Sequence, residues 1–355
     1  MPVSVKEERK SNSGIKLWNE AKKLIPGGNQ LLSKRAEMFL PDGWPAYYKK
    51  ARGVEIWDLD DNRYIDMSIM GMGTCVLGYA YEAVDRKVRM AIDAGSMSTL
   101  NCPEEVDLAK RLIELHPWAQ NVRFARTGGE ACAIAIRIAR AFTKRDKVLF
   151  CGYHGWPDWY LAANLTDGRN LDGQLLPDLA PLGVPRALKE TSFPFNYGDL
   201  NSLKELVSKY RNEIGVIILE FARTRQPDLP FLMGVRQIAS EIGSVLIFDE
   251  ITSGFRMRAG GMHMLYGIEP DLVILGKAMG NGYPISAVLG KEQIMDIAQG
   301  TFISSTFWSE RIGFSAACAV IEEFELKDVS AHLLQLGTFL TEELKKILSS
   351  KTFSG

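Results

Sequence analysis

Between about residue 80 and residue 320 the chain alternates short apolar runs with longer amphipathic ones, and this alternation limits the possible folds more than any other feature. The apolar runs include "NVRFAR", "KVLFC", "GVIILE", "SVLIFDE" and "DLVILG". In the amphipathic run "GGEACAIAIRIARAFTK", Ala131, Ile134, Ala135, Ile138, Ala139 and Phe142 recur at steps of three and four, the spacing of one buried helix stripe. Strands with so few polar positions are covered on both faces. The pattern therefore predicts an α/β fold, a mostly parallel central sheet flanked by helices. Ligands of such sheets bind outside the carboxyl ends of the strands, so the residues just after those ends are the candidates for chemistry.

The flanking segments read differently. Residues 1–14 are polar and charged and are expected to form a tail. Residues 15–75 form an N-terminal segment belonging to a small domain: "IKLWNEAKKLIPGG" is a short helix stopped by Pro26 and Gly27, and "YYKKARGVEIWDLDDNRYIDM" alternates around a turn as a hairpin does. The large domain is expected over 76–322, with 323–355 as the start of a C-terminal small domain. The chain carries 42 basic and 43 acidic residues without a long block of either sign, which argues against nucleic acid or an anionic membrane as its partner. No apolar run reaches the length needed to cross a bilayer. Five cysteines without paired spacing suggest neither a disulfide framework nor a metal site. A soluble cytoplasmic protein with a small-molecule ligand is the expectation.

Four strand ends carry candidate chemistry. Lys277 follows "LVILG", where partial desolvation disfavours an ammonium and leaves a nucleophilic amine. Asp249 ends "SVLIFD", and a carboxylate there needs a cationic partner; a protonated pyridine nitrogen is one, Arg256 another. Thr127, Gly128 and Gly129 lie between a strand and the long helix, where free N–H groups and the helix dipole form an anion cradle. Tyr153 and His154 follow "KVLF", where an aromatic ring can stack on a planar cofactor. Each has an ordinary reading as well: a solvated lysine, a capping acid, a ligand-free glycine turn, core aromatics. Only together do amine, carboxylate, phosphate cradle and ring describe a pyridoxal phosphate site.

"DLVILGKAMGNGYPISAVLG", "LIFDEITSGFR", "TGGEACAIAIRIARAFTKRDKV" and "YHG", in this order and separation, resemble class III pyridoxal phosphate aminotransferases of fold type I. The leading "IPGG", "GVEIWDLDDNRYIDM" and "VLGYAYEAV" further resemble the glutamate-1-semialdehyde aminomutase branch. The resemblance implies Lys277 as the Schiff-base lysine, Asp249 as partner of the pyridine nitrogen, Tyr153 stacked on the ring, and Gly128 and Gly129 as the phosphate-binding pair. It also implies Ile251 against the ring face, and Thr306 reaching the phosphate of a neighbouring subunit in a homodimer. Pyridoxamine 5'-phosphate is then the intermediate form of the cofactor.

Departures fall on the substrate side. Family members commonly have Thr where this chain has Gly129. The usual Glu-Pro after "GVIILE" becomes Glu220-Phe221 followed by "ARTRQP", which places Arg223 and Arg225 near the expected cleft, and "SER" at Ser309 to Arg311 replaces the family's Gly-Asn-Pro. The final "EELKKILSSKTFSG" reads as a helix entering a small domain that continues in related enzymes. Three functions remain open: a transaminase moving an amino group from an amino acid such as glutamate to a keto or aldehyde acceptor, an intramolecular aminomutase, and a non-catalytic cofactor-binding subunit. Arg223, Arg225 and Arg311 suggest a carboxylated or sugar-derived acceptor for the first.

Overall fold

The structure, a computed structural model, describes residues 12–41, 43–174, 176–223 and 225–350. The chain divides into two compact units between Glu82 and Ala83. The first holds the helix Ser13–Leu24 and an antiparallel sheet of β1 (Tyr48–Arg52), β2 (Glu55–Asp58) and β3 (Arg63–Ile65). Asn12 caps the helix by accepting the N–H of Ile15, and its inner face buries Trp18 and Ala21. The hairpin expected here gains a third strand because Asp58 organises the turn between β2 and β3. One of its carboxylate oxygens accepts the N–H groups of Asp60 and Asn62, each at 2.9 Å, and the other accepts the Tyr64 hydroxyl at 2.8 Å. The tail expected over 1–14 lies outside the described residues as far as residue 11, and Ser13 and Gly14 belong to the helix.

The second unit is the α/β fold that the alternation predicts. Its strands are β4 (Asn121–Ala125), β5 (Lys147–Cys151), β6 (Ser192–Pro194), β7 (Ile214–Glu220), β8 (Val245–Asp249), β9 (Leu272–Leu275) and β10 (Ser286–Gly290). They form one sheet in the order β4-β10-β9-β8-β7-β5-β6. Every neighbouring pair is parallel except those of β10, which runs antiparallel to both β4 and β9. All residues of β7, β8, β9 and β10 are buried, as strands covered on both faces must be.

Strand parity sorts the two faces. Val216 and Ile218 of β7, Val245 and Ile247 of β8, and Leu272 and Ile274 of β9 join one apolar cluster with the helix Gly128–Thr143, which contributes Ala131, Ile134, Ala135, Ile138 and Ala139. Each valine, leucine or isoleucine among them contributes about 1.5–3 kcal/mol when fully buried, and each alanine less. Phe142 does not continue the stripe: it lies in the helix's last turn and is 41% exposed. The expected boundary at residue 322 falls within the helix Arg311–Lys327, which is followed by the helix Val329–Ser350. Among the described residues no helix is long and apolar enough to cross a membrane.

Candidate active site

The parity that packs β7 and β8 onto the Gly128–Thr143 helix carries Glu220 and Asp249 to the same face at the open end of the sheet. They are register partners, the last residues of neighbouring parallel strands, and both are buried. Asp249 is held on two sides. Its Oδ1 accepts the Ile251 N–H at 3.0 Å, and its Oδ2 lies 2.8 Å from Nδ1 of His154. His154 is itself fixed by Nε2, 3.1 Å from the Cys151 carbonyl and so a donor to it. Nδ1 and Oδ2 therefore share a single proton across a buried contact. The Cys132 thiol, one turn into the helix from Gly128, donates to the same Oδ2 at 3.5 Å; burial, then the nearby Asp249, pushes this thiol well up. These three side chains are close enough together to share a cation. Their observed contacts are those of donors and an acceptor already matched.

Lys277 follows β9 through Gly276, opens the short helix Lys277–Gly280, and has φ +46°, a left-handed conformation that a lysine adopts at a cost. Its Nζ donates to the Thr252 hydroxyl at 2.9 Å. Burial lowers its pKa, with Arg223 and Arg256 acting in the same direction and Asp249 and Glu220 opposing. An amine so placed loses its proton more readily than a solvated one.

The helix Gly128–Thr143 opens toward this edge. Thr127 is its N-cap: its hydroxyl accepts the Glu130 N–H at 3.4 Å, while the Glu130 carboxylate accepts the N–H groups of Arg126 at 3.1 Å and of Thr127 at 2.8 Å. The N–H groups of Gly128 and Gly129 are left without an acceptor among the described residues. A Cβ on Gly128 would lie 2.8 Å from Ile251 Cδ1, and one on Gly276 would lie 3.6 Å from Ile251 Cγ2. Ile251 thus spans from the helix start to the residue before Lys277.

Tyr153 packs against the apolar cluster, meets Tyr160 edge to face at 6.0 Å, and donates its N–H to Glu220 at 3.0 Å. Arg223 lies 5.8 Å from its ring centroid and donates to both Glu220 oxygens, at 2.9 and 2.8 Å. Arg225 lines a cavity of about 320 Å³ together with Gln174, Asn196, Tyr197, Glu220 and Arg223. Arg311 is taken up by Glu104, at 2.9 and 2.6 Å. Thr306 opens the short helix Thr306–Ser309 and is exposed; among the described residues no contact joins it to Lys277 or Asp249.

Lys277, Asp249, Tyr153, His154, Ile251, Glu220, Arg223 and the Thr127–Gly129 turn thus meet at one edge of the sheet. Sequence reasoning missed Thr252, the partner of the lysine, and Cys132, the thiol on Asp249. The second carried a readable signal, its position four residues after Gly128 on the same helical face.

The description "Aminotransferase class-III" fits residues 41–354 of the chain. The 3-aminobutyryl-CoA aminotransferase of Cloacimonas acidaminovorans is 34% identical over 350 residues, covering 96% of this chain and 80% of that one. The glutamate-1-semialdehyde 2,1-aminomutase of Methanobrevibacter smithii is also 34% identical, over 347 residues, covering 95% and 79%. The solved structure of a Sphingopyxis FumI protein, in its PLP internal aldimine form, superposes with a TM-score of 0.78 at 26% identity, covering 89% of this chain and 73% of that one. The chain belongs to the class-III aminotransferase family.

Proposed function

We propose that the chain is a pyridoxal phosphate enzyme that moves an amino group from an amino acid, glutamate first among candidates, to a keto or aldehyde acceptor. One observation carries this reading: the amine of Lys277, two residues past the end of β9, and the buried carboxylate of Asp249, the last residue of the neighbouring β8, lie beside an open helix N-terminus. The residues present fit the cofactor. Two N–H groups without acceptors and two glycines suit a phosphate, a buried carboxylate suits a protonated ring nitrogen, and an amine with a lowered pKa suits an aldehyde. When bound, pyridoxal phosphate supplies an electron-withdrawing ring that stabilises negative charge on the substrate carbon.

The chain's own residues do the rest. Gly128 and Gly129 would hold the phosphate, Tyr153 and Ile251 would flank the ring, and Asp249, steadied by His154 and the Ile251 N–H, would keep positive charge at the ring nitrogen. Lys277 would hold the cofactor through its amine, which would also serve as the base that takes and returns the proton at the reacting carbon. Thr252 orients that amine. Glu220 neutralises Arg223, which leaves Arg225 as the cation we assign to an acidic substrate group. The same reading makes the enzyme a cytoplasmic homodimer in which Thr306 reaches the partner's phosphate.

The test is the absorbance spectrum of cofactor-loaded protein before and after L-glutamate, with 2-oxoglutarate assayed in the same tube. Loss of the bound-cofactor band with one equivalent of 2-oxoglutarate is the expected result; an unchanged band with every amino donor tried refutes the transaminase. Equal identity to an aminomutase supports a second reading, intramolecular transfer, which predicts conversion of an amino aldehyde without net release of a keto acid.

A further inference from the structure

The loop after β5 lies directly on the start of the Gly128–Thr143 helix. A Cβ on Gly155, whose φ is +89°, would come within 3.0 Å of Gly129 Cα, and a Cβ on Gly129 would meet Trp156 Nε1 at 3.2 Å and Cδ1 at 3.4 Å. Glycine at both positions is what lets loop and helix approach so closely. The indole edge of Trp156 therefore occupies the space into which a side chain at residue 129 would grow.

The indoles of Trp18, Trp118 and Trp308 donate to Glu37, His263 and Glu130. Trp156 is 73% exposed, and its Nε1, like the buried Nε1 of Trp159, has no acceptor among the described residues; unlike Trp159, it faces the open helix start. It stands beside Gly128 and Gly129, whose N–H groups also lack acceptors. Three donors are gathered with no acceptor between them, the arrangement of an anion site. The Glu130 carboxylate does not supply one, since its oxygens are engaged by Arg126 N–H, Thr127 N–H and the Trp308 indole.

We infer that Trp156 is a cofactor-binding residue, its indole N–H donating to the phosphate in place of a side chain at position 129. The inference rests on the cofactor reading above and adds a residue to it. An exposed tryptophan serving only as loop surface has no reason to distinguish a phosphorylated ligand from an unphosphorylated one, and this gives the test its discrimination.

Wild type and Trp156→Phe are titrated with pyridoxal 5'-phosphate and, separately, with pyridoxal, following the absorbance of the bound ligand. Loss of one hydrogen bond to a charged group weakens the phosphorylated ligand roughly ten- to hundredfold and leaves pyridoxal within about twofold. Unchanged affinity for the phosphorylated ligand overturns the inference, and so does an equal loss for both ligands, which makes the residue structural. A double variant, G129T/W156A, places a hydroxyl in the vacated space and is expected to bind the phosphorylated ligand more tightly than W156A; no gain counts against the shared-space argument. Wild type that binds neither ligand sinks the cofactor reading and the inference together, whereas wild type that binds both, matched by Trp156→Phe, sinks the inference alone.

Discussion

Replacing Asp249 in two ways separates its charge from its shape. In Asp249→Ala, the part-buried Ile251 N–H loses its acceptor and the buried His154 Nδ1 loses its partner, and the Cys132 thiol, a weak donor, loses its acceptor as well. An orphaned buried group costs about 1–3 kcal/mol, so the pair costs about 2–6 kcal/mol. At about 2 °C per kcal/mol for a chain of this length, the unliganded protein should melt about 4–12 °C lower. Asp249→Asn keeps these two contacts and gives up only the weak Cys132 thiol bond: the amide oxygen accepts the Ile251 N–H, and the amide nitrogen donates to Nδ1 of a neutral His154 whose other nitrogen still serves the Cys151 carbonyl. Its melting point should stay within about 2 °C of wild type. Both variants lose the charge proposed for the ring nitrogen and should bind the cofactor roughly ten- to hundredfold more weakly. Differential scanning calorimetry of the unliganded proteins and absorbance titration with pyridoxal phosphate read the two effects separately. If Asp249→Asn melts as low as Asp249→Ala, the carboxylate's charge holds the fold and the assignment of that charge to the cofactor fails; wild-type cofactor affinity in Asp249→Asn refutes it as well.

Three further outcomes follow from buried titratable groups. Lys277→Met should raise the stability of the unliganded protein near pH 7, because the lysine's pKa is lowered on folding, chiefly by burial. The unfolded chain takes up the proton first as pH falls through the ordinary lysine range, so wild type loses stability relative to the variant on going from alkaline to neutral pH; a gap that does not widen in that direction contradicts the burial argument. His116, fully buried between the Leu112 carbonyl and the Gly261 N–H, is pushed down by burial from 6.5 to about 4. Its stabilising share is complete above the unfolded value and lost as pH falls from about 6.5 to about 4, roughly 3 kcal/mol in all, and urea titrations of His116→Asn should lack this share of the acid loss. Glu250→Ala strips the acceptor from the Ser253 hydroxyl, the Met262 N–H, and the backbone and ring N–H groups of His263, and should cost more than about 4 kcal/mol; a urea midpoint near that of wild type rules the network out as a structural anchor.

The sequence was most legible where apolar runs stop abruptly. The ends of β8 and β9 announced Asp249 and Lys277 because an ionisable group directly after four or five buried residues has few places to go. Strand direction was not legible: "SAVLG" has nothing in its composition to say that β10 inserts antiparallel between β4 and β9, since that choice is made by the partners on either side. Cys132 could be placed on the helical face of Gly128 but its contact could not be read, as a buried thiol in an apolar helical stripe resembles any other small core residue until Asp249 is placed against it. The pairing of Arg223 with Glu220 depends on how the chain turns after β7, which residue types alone do not specify. Phe142 shows the limit of periodicity, which gives a face but not how far along the helix that face stays covered.

Asp249 and Glu250 are adjacent acids that look toward different interiors. Asp249 turns to His154 at the candidate site, whereas Glu250 turns to the opposite side, among His263, Met262 and Ser253. Because side chains alternate along a strand, a slip of one residue would exchange them, bringing the longer acid into the pocket and leaving the shorter one to answer four donors it was not cut to reach. The doublet therefore works as a key with two different teeth. The sheet can close around it in only one position, and the position that satisfies the silent side of the lock is the one that presents the reactive side correctly.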